Sequence, residues 1–230
     1  MSAASSLSAP AVRRSPLAAR HRALGARWIS EFAEWPQAYA GPQPDRSALR
    51  SMLWLADWGP VDKFLLRGER PSTRSPGPQF TPGAIGAGMQ GGRPAQLWGL
   101  TDREALLLAP AADAAASRAL RAELDAQGIA FEDQSSQFVL LRLGGVAART
   151  ILEGLLPDDV SDAALPDRTV SFGMLAGVRV TIGRSDQAGG LAFTIVAERD
   201  YAEYLWDALI HAGRGPLKVT PVGAAAAEEA

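Results

Sequence analysis

A chain of 230 residues, 47% of them hydrophobic and 21% charged, can form one large domain or two small packed lobes around a real core. Its formal net charge of −2 supplies no basic field for nucleic acid or an anionic membrane, and no run approaches the roughly 18 apolar residues of a spanning helix. Cysteine is absent, which excludes disulfides, thiolate metal sites and thiol catalysis.

In chain order, residues 1–16 read as a polar, disordered arm. Arg13, Arg14, Arg20, Arg22 and Arg27, with no acid before Glu31, also fit an organellar transit peptide, so a matrix location stands as the alternative to the cytoplasm. From Leu17 to Trp35 the pattern is helix-compatible, with Leu24, Trp28 and Phe32 at steps of four, and Pro36 ends it. Ser47 is placed to cap a short helix through Leu49, Met52 and Leu53. Lys63–Arg67 reads as a strand. The Pro/Gly/Ser-rich stretch 68–95 reads as a long loop, and as the break between lobes if there are two.

Thereafter the pattern is regular. Residues 96–100 and 105–109 form a predicted hairpin, and 111–127 a helix with Gly128 beyond its end. Residues 129–132 are short and extended, 137–143 a strand, and 145–156 a helix burying Ala148, Ile151, Leu152 and Leu155. A hairpin over 169–175 and 178–183 turns at Ala176–Gly177, and 191–197 is a strand. Asp200, with Glu203 as a capping-box partner, starts a last helix whose stripe is Tyr201, Tyr204, Leu205, Ala208 and Leu209; Gly213 stops it. Hairpins interleaved with helices give an α+β fold of mixed and antiparallel sheets with helices on one face. The unit covers residues 17–223, and 224–230 is a frayed tail.

Few residues carry obvious chemistry. His21 and His211, the only histidines, each read as a surface side chain at a helix edge, which leaves no metal set and no histidine-centred triad. Gly86-Ala-Gly88-Met-Gln-Gly91 matches G-x-G-x-x-G, but it sits in the Pro/Gly stretch rather than between a strand and a helix, so it does not read as a dinucleotide site. Asp57 and Asp62 flank the bend Trp58-Gly-Pro60 and could form a carboxylate pair if they met. Trp28, Trp35, Trp54 and Trp58 crowd the N-terminal quarter as core or subunit-interface anchors.

Several segments together resemble the folate-binding glycine-cleavage T-protein (aminomethyltransferase) superfamily, which includes the γ subunit of heterotetrameric sarcosine oxidase. They are residues 21–39 (H-R-A-L-G-A-R-W-x-x-E-F-A-x-W-P-x-x-Y), 49–68, 138–152, 177–209 and the Pro216–Gly223 tail. The resemblance implies a T-protein-like fold without the C-terminal barrel. It also implies departures at the family's acids. The acidic pair of a G-G-x-x-D-D block aligns with Ala95 and Gln96, and the pterin-gripping glutamate aligns with Gly190. Catalytic residues are therefore not expected here, and cofactor contacts would fall to Asp57, Arg93, Arg184 and Asp186.

Three readings follow from the resemblance. The first is an accessory, non-catalytic subunit of a folate-linked amine oxidase, partnered by a larger flavin-containing chain. The second is a stand-alone tetrahydrofolate-dependent one-carbon transferase with a rebuilt site. The third is a scaffold without a ligand. No cofactor is expected on the chain's own motifs, and tetrahydrofolate is the candidate small molecule.

Overall fold

The computed structural model describes residues 13–28, 33–41, 43–59, 61–68, 80–90, 93–110, 114–186, 190–213, 215, 217–224 and 226. The N-terminal quarter contains β1 (Arg13–Arg14), α1 (Ala18–Ala23), β2 (Arg27–Trp28), β3 (Ala33–Glu34), β4 (Pro36–Ala38) and α2 (Arg46–Ser51). Then come β5 (Trp54–Asp57), β6 (Val61–Arg67), β7 (Ile85–Gln90), β8 (Arg93–Gly99), β9 (Glu104–Pro110), α3 (Ala114–Ala126), β10 (Ala130–Asp133) and β11 (Phe138–Gly144). The last part holds α4 (Ala148–Glu153), β12 (Thr169–Leu175), β13 (Val178–Arg184), β14 (Ala192–Glu198), a 3-10 turn (Arg199–Tyr201), α5 (Ala202–Ala212) and β15 (Thr220–Pro221).

Two sheets dominate. One has five strands in the order β10-β6-β9-β8-β7, and the other six in the order β12-β13-β14-β11-β5-β15. Pairing is antiparallel except for β15 beside β5 and the small β1–β3 pair. Side chains alternate faces along each strand, so each sheet feeds two cores. Leu141, Leu143, Ile195 and Val180 of the six-stranded sheet pack against Ile151 and Leu152 of α4 and Leu205, Trp206 and Leu209 of α5. Phe64, Leu66 and Leu107 of the five-stranded sheet pack under Leu120 and Leu124 of α3. The remaining faces meet each other through Trp58, Ile85, Trp98, Leu106, Leu108, Leu140, Val170 and Val196. The fold is α+β, with helices on the outer face of each sheet. Among the described residues no helix is long and apolar enough to cross a membrane.

Local chemistry explains where the elements depart from expectation. The helix-compatible run from Leu17 is helical only to Ala23, because Gly25 turns the chain at φ 71 and Ala26 N–H bonds back to the His21 carbonyl. Residues 29–32 of that run lie outside the described residues. Asp45, not Ser47, caps α2, its carboxylate accepting from Ala48 N–H at 2.8 Å. β5 was not foreseen: all four of its residues are buried, so it shows no alternation to read. Residues 85–90, expected to be loop, form β7, a strand at the sheet edge that pairs in full register with β8. The segment between β6 and β7 thus starts and ends in one sheet; residues 69–79 lie outside the described residues. Asp200 sits inside the 3-10 turn, and no side chain caps α5. The buried face of α5 is Ala202, Leu205, Trp206 and Leu209, which leaves Tyr201 and Tyr204 exposed.

The ends also differ from expectation. Arg13 and Arg14 pair with β3 and Ser15 is buried, so residues 13–16 belong to the folded unit; residues 1–12 of the expected arm lie outside the described residues. Ala224 and Ala226 of the expected frayed tail are buried, while 225 and 227–230 lie outside the described residues.

Candidate functional site

The chain passes from one sheet to the other between β5 and β6, and its polar groups concentrate at that crossing. Asp57 ends β5 and is 1% exposed. Its Oδ2 accepts from the Ser15 hydroxyl and from His21 Nε2 at 3.1 Å, and its Oδ1 accepts from Trp35 Nε1 at 3.1 Å. On the other side of the imidazole, Nδ1 lies 2.7 Å from the Tyr39 hydroxyl. Burial, reinforced by the Asp57 carboxylate, raises the Tyr39 pKa above the usual phenol range.

Five residues on, Asp62 receives Arg13 Nη1 at 2.7 Å and the Ser117 hydroxyl of α3 at 2.6 Å. Lys63 is buried beside it, and its ammonium nitrogen donates to the Val61 and Ser135 carbonyls at 3.0 and 3.2 Å. Burial and the Arg13 guanidinium push Lys63 down to about 7, against the pull of Asp57 and Asp62. The two aspartates are therefore not one shared-proton pair. Each has its own donors, and the N-terminal segment supplies donors to both.

His21 corrects the surface reading given to it, since it is wholly buried among Trp28, Tyr39 and Trp206. His211 is exposed, with Nδ1 on the Asp207 carbonyl. Tyr39, His21 and Asp57 do have the parts of a general-base relay, contrary to the expectation of no histidine-centred set. No member is more than 8% exposed, so the chain of bonds clamps α1 onto β5 rather than meeting a substrate. Among the described residues no group of His, Asp and Glu is arranged to hold a metal.

The residues assigned to the family's chemistry lie elsewhere. Ala95 on β8 is buried under α3. Gln96 points into the inter-sheet space, where its Oε1 accepts from Trp98 Nε1 at 3.0 Å. The Trp98 ring is fully buried and lies so close to Gly183 that a β-carbon there would come within 2.5 Å of the ring. One residue on, Arg184 makes bonds to both oxygens of Asp186, to Asp162 and to the Leu165 carbonyl. Those bonds raise the Arg184 pKa. Asp186 Oδ1 also accepts from Ala192 N–H. The structure thus brings Arg184 and Asp186 together, while β14 and β11 stand between them and Asp57. The Arg93 side chain lies outside the described residues.

A pterin offers adjacent donors that a carboxylate takes as a bidentate pair. Neither of the two aspartates assigned to such a ligand has its carboxylate free for that pair. Asp57 is buried with three donors already bound, and Asp186 is saturated by Arg184 and Ala192.

The four tryptophans have individual places. Trp54 is 1% exposed, with Nε1 on the Leu49 carbonyl, and Trp35 is bound to Asp57. Trp58 lies between the sheets, 4.8 Å under the Arg142 guanidinium. Trp28 is half-buried, with Arg22 over its ring. Three of the four are thus packed inside this chain. The sequence reading passed over Arg142, which is wholly buried on β11 and donates to the Ser185 carbonyl. Its signal was present: a lone cation in the otherwise apolar run Phe138–Leu143.

The GCVT N-terminal domain family matches residues 98–230. The chain is 27% identical over 221 residues to an aminomethyltransferase of Herpetosiphon aurantiacus, covering 90% of this chain and 60% of that protein. It is 28% identical over 220 residues to an aminomethyltransferase of Thermus thermophilus, covering 89% and 62%. The chain therefore spans about three fifths of the length of these curated relatives. Among solved structures it resembles the glycine cleavage system aminomethyltransferase T of Bartonella henselae, with a TM-score of 0.71 and 21% identity over 94% of this chain and 61% of that one. It also resembles a chain of the heterotetrameric sarcosine oxidase of Corynebacterium sp. U-96, solved with pyrrole 2-carboxylate, with a TM-score of 0.60 and 20% identity over 87% and 94%. At these identities the two structures establish a shared fold.

Proposed function

The chain belongs to the GCVT N-terminal domain family, and on that footing we propose that it is an accessory, non-catalytic subunit of a heteromeric, folate-linked amine oxidase whose larger chain carries a flavin. The observation that carries this reading is on β8. The positions that the family resemblance gives to acids hold a buried alanine, Ala95, and Gln96, whose carbonyl oxygen is taken by Trp98. Trp98 in turn packs directly on the Gly183 backbone. Next to Gly183 in sequence, Arg184 is paired with Asp186. Gln96 and Trp98 order the inter-sheet core, Ala95 packs under α3, and neither Ala95 nor Gln96 offers a carboxylate as proton acceptor for transfer chemistry. The fold shared with a chain of a heterotetrameric sarcosine oxidase supports the assembly role.

A second reading, a tetrahydrofolate-dependent one-carbon transferase with a rebuilt site, is favoured by the aminomethyltransferases among the curated relatives. Calorimetric titration of the isolated chain with tetrahydrofolate, followed by an aminomethyl-transfer assay, separates the two. The accessory reading expects no saturable heat up to millimolar ligand and no turnover. Stoichiometric binding accompanied by transfer would overturn it.

A further inference from the structure

The six-stranded sheet has one uncovered corner. Along β12 and β13, cross-strand partners share a face, and the pairs Val170–Gly183, Phe172–Thr181 and Met174–Arg179 all look toward the five-stranded sheet. The first pair is covered, since Val170 lies in the inter-sheet core and Gly183 is under Trp98. The other two pairs lie beyond that cover. Phe172 is 57% exposed and Met174 44% exposed, two of the few large apolar side chains left open among the described residues.

Beside them Arg179 is exposed and makes no ion pair with a described residue. β12 is also the outer strand of its sheet. Its edge is met by residues 83–85 only as far as Val170, through the Ile85 N–H bond to the Arg168 carbonyl and the Val170 N–H bond to the Gly83 carbonyl. From Ser171 to Leu175 no described strand pairs with that edge. The segment Ser-Phe-Gly-Met-Leu carries no lysine, proline or charge of the kind that normally blunts an open edge.

We propose that this ledge is a docking site for an extended segment of a partner polypeptide that adds a strand along residues 171–175. The segment would lay an apolar side chain over Phe172 and Met174 and present a carboxylate to Arg179. The open edge calls for a strand, and the uncompensated guanidinium beside an apolar strip calls for an acidic neighbour on it. This rests on the assembly reading and gives it a surface.

The test uses the full chain co-expressed with the flavin-containing oxidase chain. Phe172→Ser combined with Met174→Ser is one variant, and Arg179→Glu another. Affinities are measured by interferometry at low and high salt, with thermal melts of the free chains alongside. The double-serine variant should bind at least about tenfold more weakly with an unchanged melt, because both side chains are exposed. Arg179→Glu should bind more weakly and reverse the salt dependence, because salt then screens a repulsion between carboxylates. Equal affinity of the double-serine variant and the unaltered chain overturns the ledge and leaves the assembly reading intact. No complex with the unaltered chain overturns both. Self-association of the unaltered chain, abolished by the serine pair, would assign the ledge to a second copy and overturn the proposal.

Discussion

Lys63 is one of only two lysines, and it is buried at the crossing between the sheets. Its amine has two carbonyl partners but sits in a dry place, and burial pushes it from 10.5 down to about 7. Between those values the unfolded chain holds a proton that the folded chain has released. Folding stability from this group therefore rises with pH across that window, by up to about 1.4 kcal/mol per unit, and is flat below it. Lys63→Met should remove the rise. Urea denaturation of both chains from pH 6.5 to 9.5 checks this; parallel curves would mean that Lys63 is not the source. The same crossing explains why the N-terminal residues are folded. Without Arg13 and Ser15, Asp62 and Asp57 would each lose a donor in a buried place, a cost of about 1–3 kcal/mol apiece. None of this was legible in the sequence, because a buried charge is recognised by its partners, and these come from positions 49 and 42 residues away.

At the level of elements, the sequence was most legible where periodicity was clean. The β8–β9 and β12–β13 hairpins, β11, β14, α3 and α4 all lie where alternation or helical spacing predicts them. It was least legible where packing overrides propensity. β5 is buried on both faces, and β7 is a glycine-bearing strand held by its pairing with β8. The stripe expected on α5 was off because its anchor is Trp206, which meets His21 edge-on at 5.1 Å, rather than the two tyrosines. Gly183 on β13 makes the packing argument testable. A methyl group there would sit 2.5 Å from the Trp98 ring and 2.9 Å from Ile85 Cδ1, all inside the core. Gly183→Ala should cost about 1–3 kcal/mol of unfolding free energy. Adding Trp98→Leu should recover part of that loss. Strictly additive losses in a double-mutant cycle would show that the ring and the glycine do not share the space.

At the scale of the whole molecule, two sheets face each other across an apolar seam, and each carries helices on its outer side. The general class was readable from hairpins interleaved with helices, and the family from ordered blocks of residues. The candidate site was readable only in part. Arg184 and Asp186 do meet, but they meet each other; Asp57 serves the N-terminal clamp. Among the described residues, Arg184 and Asp186 pair with each other and Asp57 with the N-terminal segment, while the edge at Phe172 and Met174 stays exposed beside Arg179, which supports the proposal that another chain binds there. The most direct measurement is the mass and flavin absorbance of the species eluting from gel filtration after co-expression with the flavin-containing oxidase chain. The account predicts one stoichiometric complex carrying both chains and the flavin. Separate elution, with this chain as a free monomer, would contradict it.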